Sequence, residues 1–274
     1  MPEAPEVEIL KNEATAQLVG RRVKAVAVKK SEKGRLEDAG LLPKLRGARV
    51  AGVRRFGKLL VLDFSGDVSL LVHFMLSGQM VLLTTGQGPA RGWSLAITFD
   101  DGSTLDIRQV ALKYLHLIPS GEAEHFPQVA EQGPDILSPE FTLERFRALL
   151  KGKRGAIKPL LIDQRFIAGV GNTLVDEALF SAGIHPEHNV ATLRPEQVEA
   201  IYQQILATAR RAMEYGGSST EQFLHLDGSM GHYQEHFLVN RKPGRPCPRC
   251  GTPIEHSMTG GRSTYFCPHC QTKD

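Results

Sequence analysis

The sequence predicts an α+β multidomain chain: an N-terminal antiparallel β-sandwich behind a leading helix, a C-terminal helical domain, and a terminal four-cysteine ribbon. Three observations carry that prediction. Short β-rich runs alternate with turn signals over the first 110 residues, helical periodicity replaces them after residue 140, and all four cysteines fall in two Cys-x-x-Cys pairs near the end.

The leading helix is expected over Pro5–Val19, where Val7, Leu10, Ala14 and Leu18 recur at helical spacing and Gly20 is a plausible stop; Glu3 and Glu6 then lie at or before its first turn. Strands are expected at Val23–Lys30, Val50–Arg55, Leu59–Phe64, Val68–Phe74, Met80–Thr84, Leu95–Phe99 and Thr104–Ile107. Asp100-Asp101-Gly102 reads as a hairpin link, and Arg55-Phe56-Gly57-Lys58 as a second tight turn. Proline and glycine punctuate the stretch Gly121–Pro139, which marks the domain boundary. Beyond it, helices are expected at Leu143–Leu150, Ala156–Asp163, Thr173–Ala182 and Pro195–Tyr215; Gly216-Gly217 ends the last, and a loop over Ser218–His236 leads to the tail. The resulting division is 1–125, a linker at 126–138, then 139–236 and 237–274.

A length of 274 residues suits two core-forming domains with a small appended module. Hydrophobic residues at 41% and charged residues at 23% are ordinary for a soluble chain, and no apolar run approaches bilayer-spanning length, so a membrane role is not expected. The start, MPEAPEVEIL, has neither a basic leader nor an apolar signal core, and a cytoplasmic location follows as an expectation. The net charge of +3 says little until it is located. From Val239 to Asp274 six cations face two acids, and Lys151, Lys153, Arg154 and Lys158 form a second basic cluster, with Arg54, Arg55 and Lys58 a third. Such clusters suit a polyanion, although solvated faces look the same.

Cys247-Pro-Arg-Cys250 and Cys267-Pro-His-Cys270 stand 16 residues apart. Each two-residue gap lets both thiolates face one metal, so the four cysteines are expected to hold one structural Zn2+, with no position left for water. Intracellular disulfides are disfavoured by a reducing cytosol. Metal binding contributes on the order of 10 kcal/mol, enough to order a tail too small to fold alone. Gly260-Gly261-Arg262 then reads as a hairpin tip projecting one cation.

The first residues carry candidate chemistry. Removal of Met1 leaves Pro2 with a free secondary amine beside the Glu3 carboxylate. A terminal amine titrates near 7.7–8.0 against about 10.4 for lysine, so far more of it is unprotonated at neutral pH. It can attack an aldehyde-level carbon to give an iminium. Glu3 can shuttle protons, and Lys58 can supply a second acid or a phosphate contact. By itself the same pattern also suits a plain leader into a helix.

Pro2-Glu3-Ala4-Pro5-Glu6-Val7-Glu8 resembles the opening of the formamidopyrimidine-DNA glycosylase and endonuclease VIII family. Gly57-Lys58, Ile157-Lys158-Pro159 through Gly169-Val170-Gly171-Asn172, the Gly216-Gly217 loop and the cysteine ribbon follow in that family's order. The resemblance implies base-excision repair of damaged double-stranded DNA by a glycosylase with β,δ-elimination at abasic sites. Pro2 would form the Schiff base, Glu3 would be the acid/base with Glu6 in support, Lys58 would assist β-elimination, and Arg262 would contact phosphate and assist δ-elimination. It also implies a helix-two-turn-helix through Lys158 and Gly169–Asn172, where a helix N-terminus meets a phosphate. His73, Leu76, Arg108, Arg154, Lys158, Gly171 and Asn172 are the expected DNA contacts. A monomer with no small-molecule cofactor, in a bacterial cytoplasm and on the nucleoid through DNA, completes the expectation. Two other readings stay open: an abasic-site lyase with little base excision, and a non-catalytic protein that binds damaged DNA.

The chain departs from the family in three places. His-Leu-Gly-Met-Ser-Gly becomes His73-Phe74-Met75-Leu76-Ser77-Gly78, which puts Leu76 at the wedge position. Asp-Pro-Arg-Arg-Phe-Gly becomes Asp106-Ile107-Arg108-Gln109-Val110-Ala111, without the second arginine or the aromatic ring. A histidine expected near 91–93 is replaced by Arg91-Gly92-Trp93. Losing the ring is expected to weaken preference for the base opposite the lesion, with Val110→Phe sharpening it.

Overall fold

The computed structural model describes residues 1–29, 36, 39–220 and 222–273. Lys30, the expected end of the first strand, lies outside the described residues, as do Glu221 of the expected loop and Asp274 of the tail. Two compact units result, Met1–Glu131 with Tyr215–His232, and Gln132–Glu214 with Tyr233–Asp274.

In the first unit, α1 (Ala4–Leu18) buries Val7, Leu10, Ala14 and Leu18, the face its spacing predicts. Glu3 caps it through a reciprocal box with Glu6. The strands form two antiparallel four-stranded sheets. One runs β1 (Val23–Val28), β6 (Trp93–Phe99), β7 (Thr104–Arg108), β5 (Gln79–Leu83); the other runs β2 (Val50–Phe56), β3 (Leu59–Phe64), β4 (Val68–His73), β8 (Leu115–Ile118). Leu60, Leu62, Leu70 and Val72 of one sheet share a core with Leu95, Ile97, Leu105 and Ile107 of the other, so the expected sandwich forms. β3 opens on an apolar run, Leu59 to Leu62, because its opposite face is covered too: Leu59 and Val61 join Leu71, Ile118 and Ala123 in a second cluster. The short strand β8 has no counterpart in the sequence expectations. A one-turn helix, α2 (Leu42–Leu45), precedes β2, and another, α3 (Pro127–Ala130), follows β8.

The second unit holds α4 (Leu143–Leu150), α5 (Ile157–Ile162), α6 (Asn172–Ala182), α7 (Pro195–Glu214) and the hairpin β9 (Glu255–Thr259) and β10 (Arg262–Phe266). Phe141, Phe146, Phe166 and Tyr202 cluster in its helical core, Phe146 meeting Phe141 and Phe166 edge to face and Tyr202 tilted against Phe141 and Phe146. A second cluster joins Phe180 of α6 to Val239, Cys247, Ile254 and Cys267, so the ribbon shares its core with α6. Residues 215–232, placed by sequence in 139–236, instead fold with the sandwich: Phe223 and Leu226 are buried in its core. No helix among the described residues is long and apolar enough to cross a membrane.

Candidate active site and DNA-binding elements

Pro2 is buried at the start of α1, and the Glu3 backbone N–H donates to Glu6 Oε2 at 2.8 Å. The other Glu6 oxygen accepts from Ser218 N at 2.9 Å, 212 residues away in sequence. Burial foremost, then the adjacent Glu3 charge, push the Glu6 carboxyl up to about 7, against the pull of those N–H donors. Gly217 lies so close that an added Cβ would come within 3.0 Å of both Glu6 Cγ and Phe223, on backbone with φ +77°. Glycine is required there on both counts.

Lys58 follows Gly57, whose φ of +56° makes the tight turn between β2 and β3. Arg55 fastens that turn to α1, donating to Glu8 Oε2 at 2.7 Å and to the Gly57 carbonyl at 2.8 Å. Burial works against charge on Glu8, but hydrogen bonds from Lys11 and Arg55 hold its carboxyl below the usual range. Lys58 is itself buried. His73, at the end of β4, is lowered to about 4 by burial and then by the charges of Lys58 and His116, so the ring is neutral at pH 7. Its Nδ1 accepts from Met75 N at 3.2 Å, which leaves the proton on Nε2.

Two strained turns stand together at the ends of these strands. Met75 and Gln109 both adopt left-handed backbone, φ +53° and +57°. Between them Gly78 meets Val110, whose Cγ2 would lie 2.6 Å from an added Cβ. Leu76 is 63% exposed. One expectation from this region needs correcting. Val110 is buried in the sandwich core, because the left-handed residue before it turns the chain inward; the exposed side chain is Gln109. Arg108 is partly buried beside it, donating Nε to Gln79 Oε1 at 2.7 Å and standing 3.6 Å from the buried Asp106.

In the second unit the segment between α5 and α6 makes the expected double turn. The Gln164 amide stitches it, donating to the carbonyls of Ile162 and Val170 at 2.7 and 2.9 Å and accepting from Gly169 N at 2.9 Å. Gly171 is the N-cap of α6 with no side-chain cap, and Asn172 Oδ1 is buried with no hydrogen-bond partner among the described residues. Lys158, expected to reach DNA, is fully buried: its Nζ donates to Asp176 Oδ1 and the Ser263 carbonyl at 2.7 Å, and to Thr264 Oγ1 at 2.9 Å. It therefore ties the hairpin to α6. Burial raises Asp176 to about 7, opposed by Lys158 and Asn240. Arg154 is exposed and lines, with Lys151 and Lys153, a groove of about 520 Å³ floored by Leu150, Val190 and Leu193.

The hairpin turns through Gly260 and Gly261, φ +58° and +74°, and leaves Arg262 exposed, with no ion pair among the described residues. All four cysteine sulfurs lie within 4.8 Å of one another, with Cys247–Cys270 at 3.8 Å, Cys250–Cys267 at 3.5 Å and Cys250–Cys270 at 3.4 Å. A tetrahedral zinc thiolate site needs sulfurs about 3.8 Å apart, so the donor set fits one structural zinc.

Three family models match: the formamidopyrimidine-DNA glycosylase N-terminal domain over residues 1–111, the formamidopyrimidine-DNA glycosylase H2TH domain over 132–224, and a zinc finger found in FPG and IleRS over 244–273. Formamidopyrimidine-DNA glycosylases of Solibacter usitatus and Pelotomaculum thermopropionicum are 36% and 34% identical, covering 100% and 99% of both chains in each pair. The chain belongs to the formamidopyrimidine-DNA glycosylase family. Its fold agrees with the Lactococcus lactis Fpg in complex with DNA containing an abasic site, at TM-score 0.89 and 30% identity over 99% of this chain and 100% of that one. The MutM (Fpg) protein of Thermus thermophilus matches at 0.88 and 31%, over 100% of both chains. As a formamidopyrimidine-DNA glycosylase it is a DNA-binding enzyme of base-excision repair with the abasic-site lyase activity characteristic of the family. Sequence reasoning missed Ser218, Gln79, Asp176 and Glu177, which carry no motif of their own. Glu177 accepts from three successive backbone N–H groups, Leu238, Val239 and Asn240, at 2.7–2.9 Å.

Proposed function

We propose that the protein removes an oxidised or ring-opened base from duplex DNA through an iminium on the Pro2 amine, then cleaves the strand by β,δ-elimination. The observation that carries this reading is the capping box at the chain start, where Glu3 and Glu6 surround the backbone on which the amine sits. The unprotonated Pro2 nitrogen attacks C1′ of the damaged nucleotide as the base leaves. Glu3 moves the proton between sugar and leaving group. Glu6 fixes the Glu3 backbone and so the direction of the nucleophile. Neutral His73 donates from Nε2, and Lys58 offers a cation for a flanking phosphate or for elimination.

The N-terminus of α6 at Gly171, with Asn172, takes a backbone phosphate, since the helix dipole there favours an anion. Arg262 on the ribbon hairpin contacts phosphate and assists the second elimination. Leu76 fills the space left by the flipped base, and Arg154 adds a nonspecific cation. Lys158, fully buried, acts inside the protein, whereas Arg108, only partly buried and next to the exposed Gln109, serves as a DNA contact held in place by Gln79. Division of labour follows 1–125 for chemistry, 139–236 for DNA and 237–274 for the finger, except that 215–232 serve the first. The enzyme acts as a monomer in the bacterial cytoplasm, associated with the nucleoid through its substrate.

Borohydride trapping tests the nucleophile. A covalent complex with abasic DNA is expected for the processed protein and none for a form retaining Met1. Cleavage of abasic DNA at the ordinary rate by the Met1 form would remove Pro2 from the mechanism.

A further inference from the structure

The segment Tyr215–His232 is closed at both ends. Gly231 lies against the carbonyls of Gly216 and Gly217, 2.2 and 2.3 Å from where a Cβ would stand, and Ser218 bridges His232. Phe223 and Leu226 bury themselves in the sandwich core, and Leu82 N donates to the Leu226 carbonyl at 2.7 Å. Two polar side chains outside the segment then fix its middle. Glu13 of α1 meets His225 Nδ1 at 2.6 Å with one oxygen and accepts from Leu226 N at 2.9 Å with the other. Gln79 of β5 donates to the Gln222 carbonyl at 2.8 Å, while its own oxygen is held by Arg108. Gln222 sits at φ +65°, a conformation that ordinary side chains avoid and that this anchor helps maintain.

Ser218, near the start of the segment, also shares the Glu6 carboxylate that supports the site. Ser218 N and Glu3 N bind opposite oxygens of Glu6. The segment and the N-terminal amine are therefore registered to one another through a single side chain.

Resting on the proposed role of Pro2, we infer that Gln79 and Glu13 are positioning residues for base excision. They hold the segment between Ser218 and Leu226 as one wall of the site that grips the flipped base, without touching DNA. Breaking the glycosidic bond requires the base to stay oriented against the nucleophile. A preformed abasic site has no base to hold, so strand cleavage there does not depend on this wall.

The test compares single-turnover excision from a duplex carrying a formamidopyrimidine with cleavage of a duplex carrying a preformed abasic site. Gln79→Ala and Glu13→Ala are expected to slow excision about tenfold or more and to change abasic-site cleavage less than about twofold. Glu13→Gln should recover most of the excision rate, since its amide oxygen still accepts from Leu226 N. An equal fall in both reactions, or none in either, overturns the inference. Borohydride trapping by the wild type, run alongside, reports on Pro2 alone, so failure of the nucleophile assignment is told apart from failure of the wall.

Discussion

The zinc finger and the N-terminal site solve the same problem, orienting a few groups with precision, over very different stretches of chain. All four thiols come from within Cys247–Cys270, and their spacing alone brings the sulfurs to 3.4–3.8 Å where the structure pairs them. Glu6, in contrast, is oriented by a backbone N–H that arrives 212 residues later. A local site is written as a spacing. A non-local one is written as a fold, and its members look like ordinary surface or loop residues until the chain closes.

The comparison predicts that damage to the finger is severe and confined. Cys267→Ser, or chelation, should remove the bound zinc, measured as one per chain by metal analysis, and weaken DNA binding by about two decades or more, given a metal contribution on the order of 10 kcal/mol. The circular dichroism of the sandwich should persist. Full DNA affinity in a metal-free preparation would mean that the finger is not what presents Arg262.

Lys158 sits where the two kinds of site meet, since it lies in a recognisable motif yet works through distant partners. Lys158→Met should leave Asp176 buried without its cation and cost about 3–5 kcal/mol in denaturant unfolding, whereas a direct phosphate contact would cost affinity and little stability. A reduced salt dependence of DNA binding with unchanged stability would restore Lys158 to the DNA surface.

For Glu6 the distinction can be read in pH. A carboxyl raised from 4.5 to about 7 binds its proton more tightly in the folded state, so its contribution to stability is present below the ordinary value and declines as pH rises toward 7. Activity should run the other way, because only the carboxylate accepts fully from both Glu3 and Ser218. Excision should therefore rise through pH about 7, and Glu6→Gln should lower the plateau about tenfold and flatten that limb. An unchanged limb in the variant would assign it to another group.

The smallest effect concerns opposite-base preference. Val110→Phe should now destabilise the sandwich by about 1–3 kcal/mol through overpacking against Gly78, and leave discrimination among the four opposite bases unaltered. Substituting Gln109, which the structure exposes, is the change that should move it. Sharper cytosine preference in Val110→Phe would return the residue to the role its position in the motif suggests.

By itself the sequence determined the elements whose physics is local. The periodic face of α1, the strands β2, β3 and β4, the four-cysteine site, the double turn before Asn172 and the glycine tip before Arg262 all follow from spacing and from the few residues able to make a turn. It also carried the family, through motifs in a fixed order. Only the tertiary structure decided which side chains those motifs free for DNA. Lys158 is a cation in a motif position, yet full burial obliges it to find partners within the protein, and those partners, Asp176 and the β10 backbone, come from segments that no local pattern connects. Residues 215–232 went to the sandwich for the same reason: Phe223 and Leu226 gain more from a distant apolar core than from the helix that precedes them, and no periodicity within the segment records where that core lies.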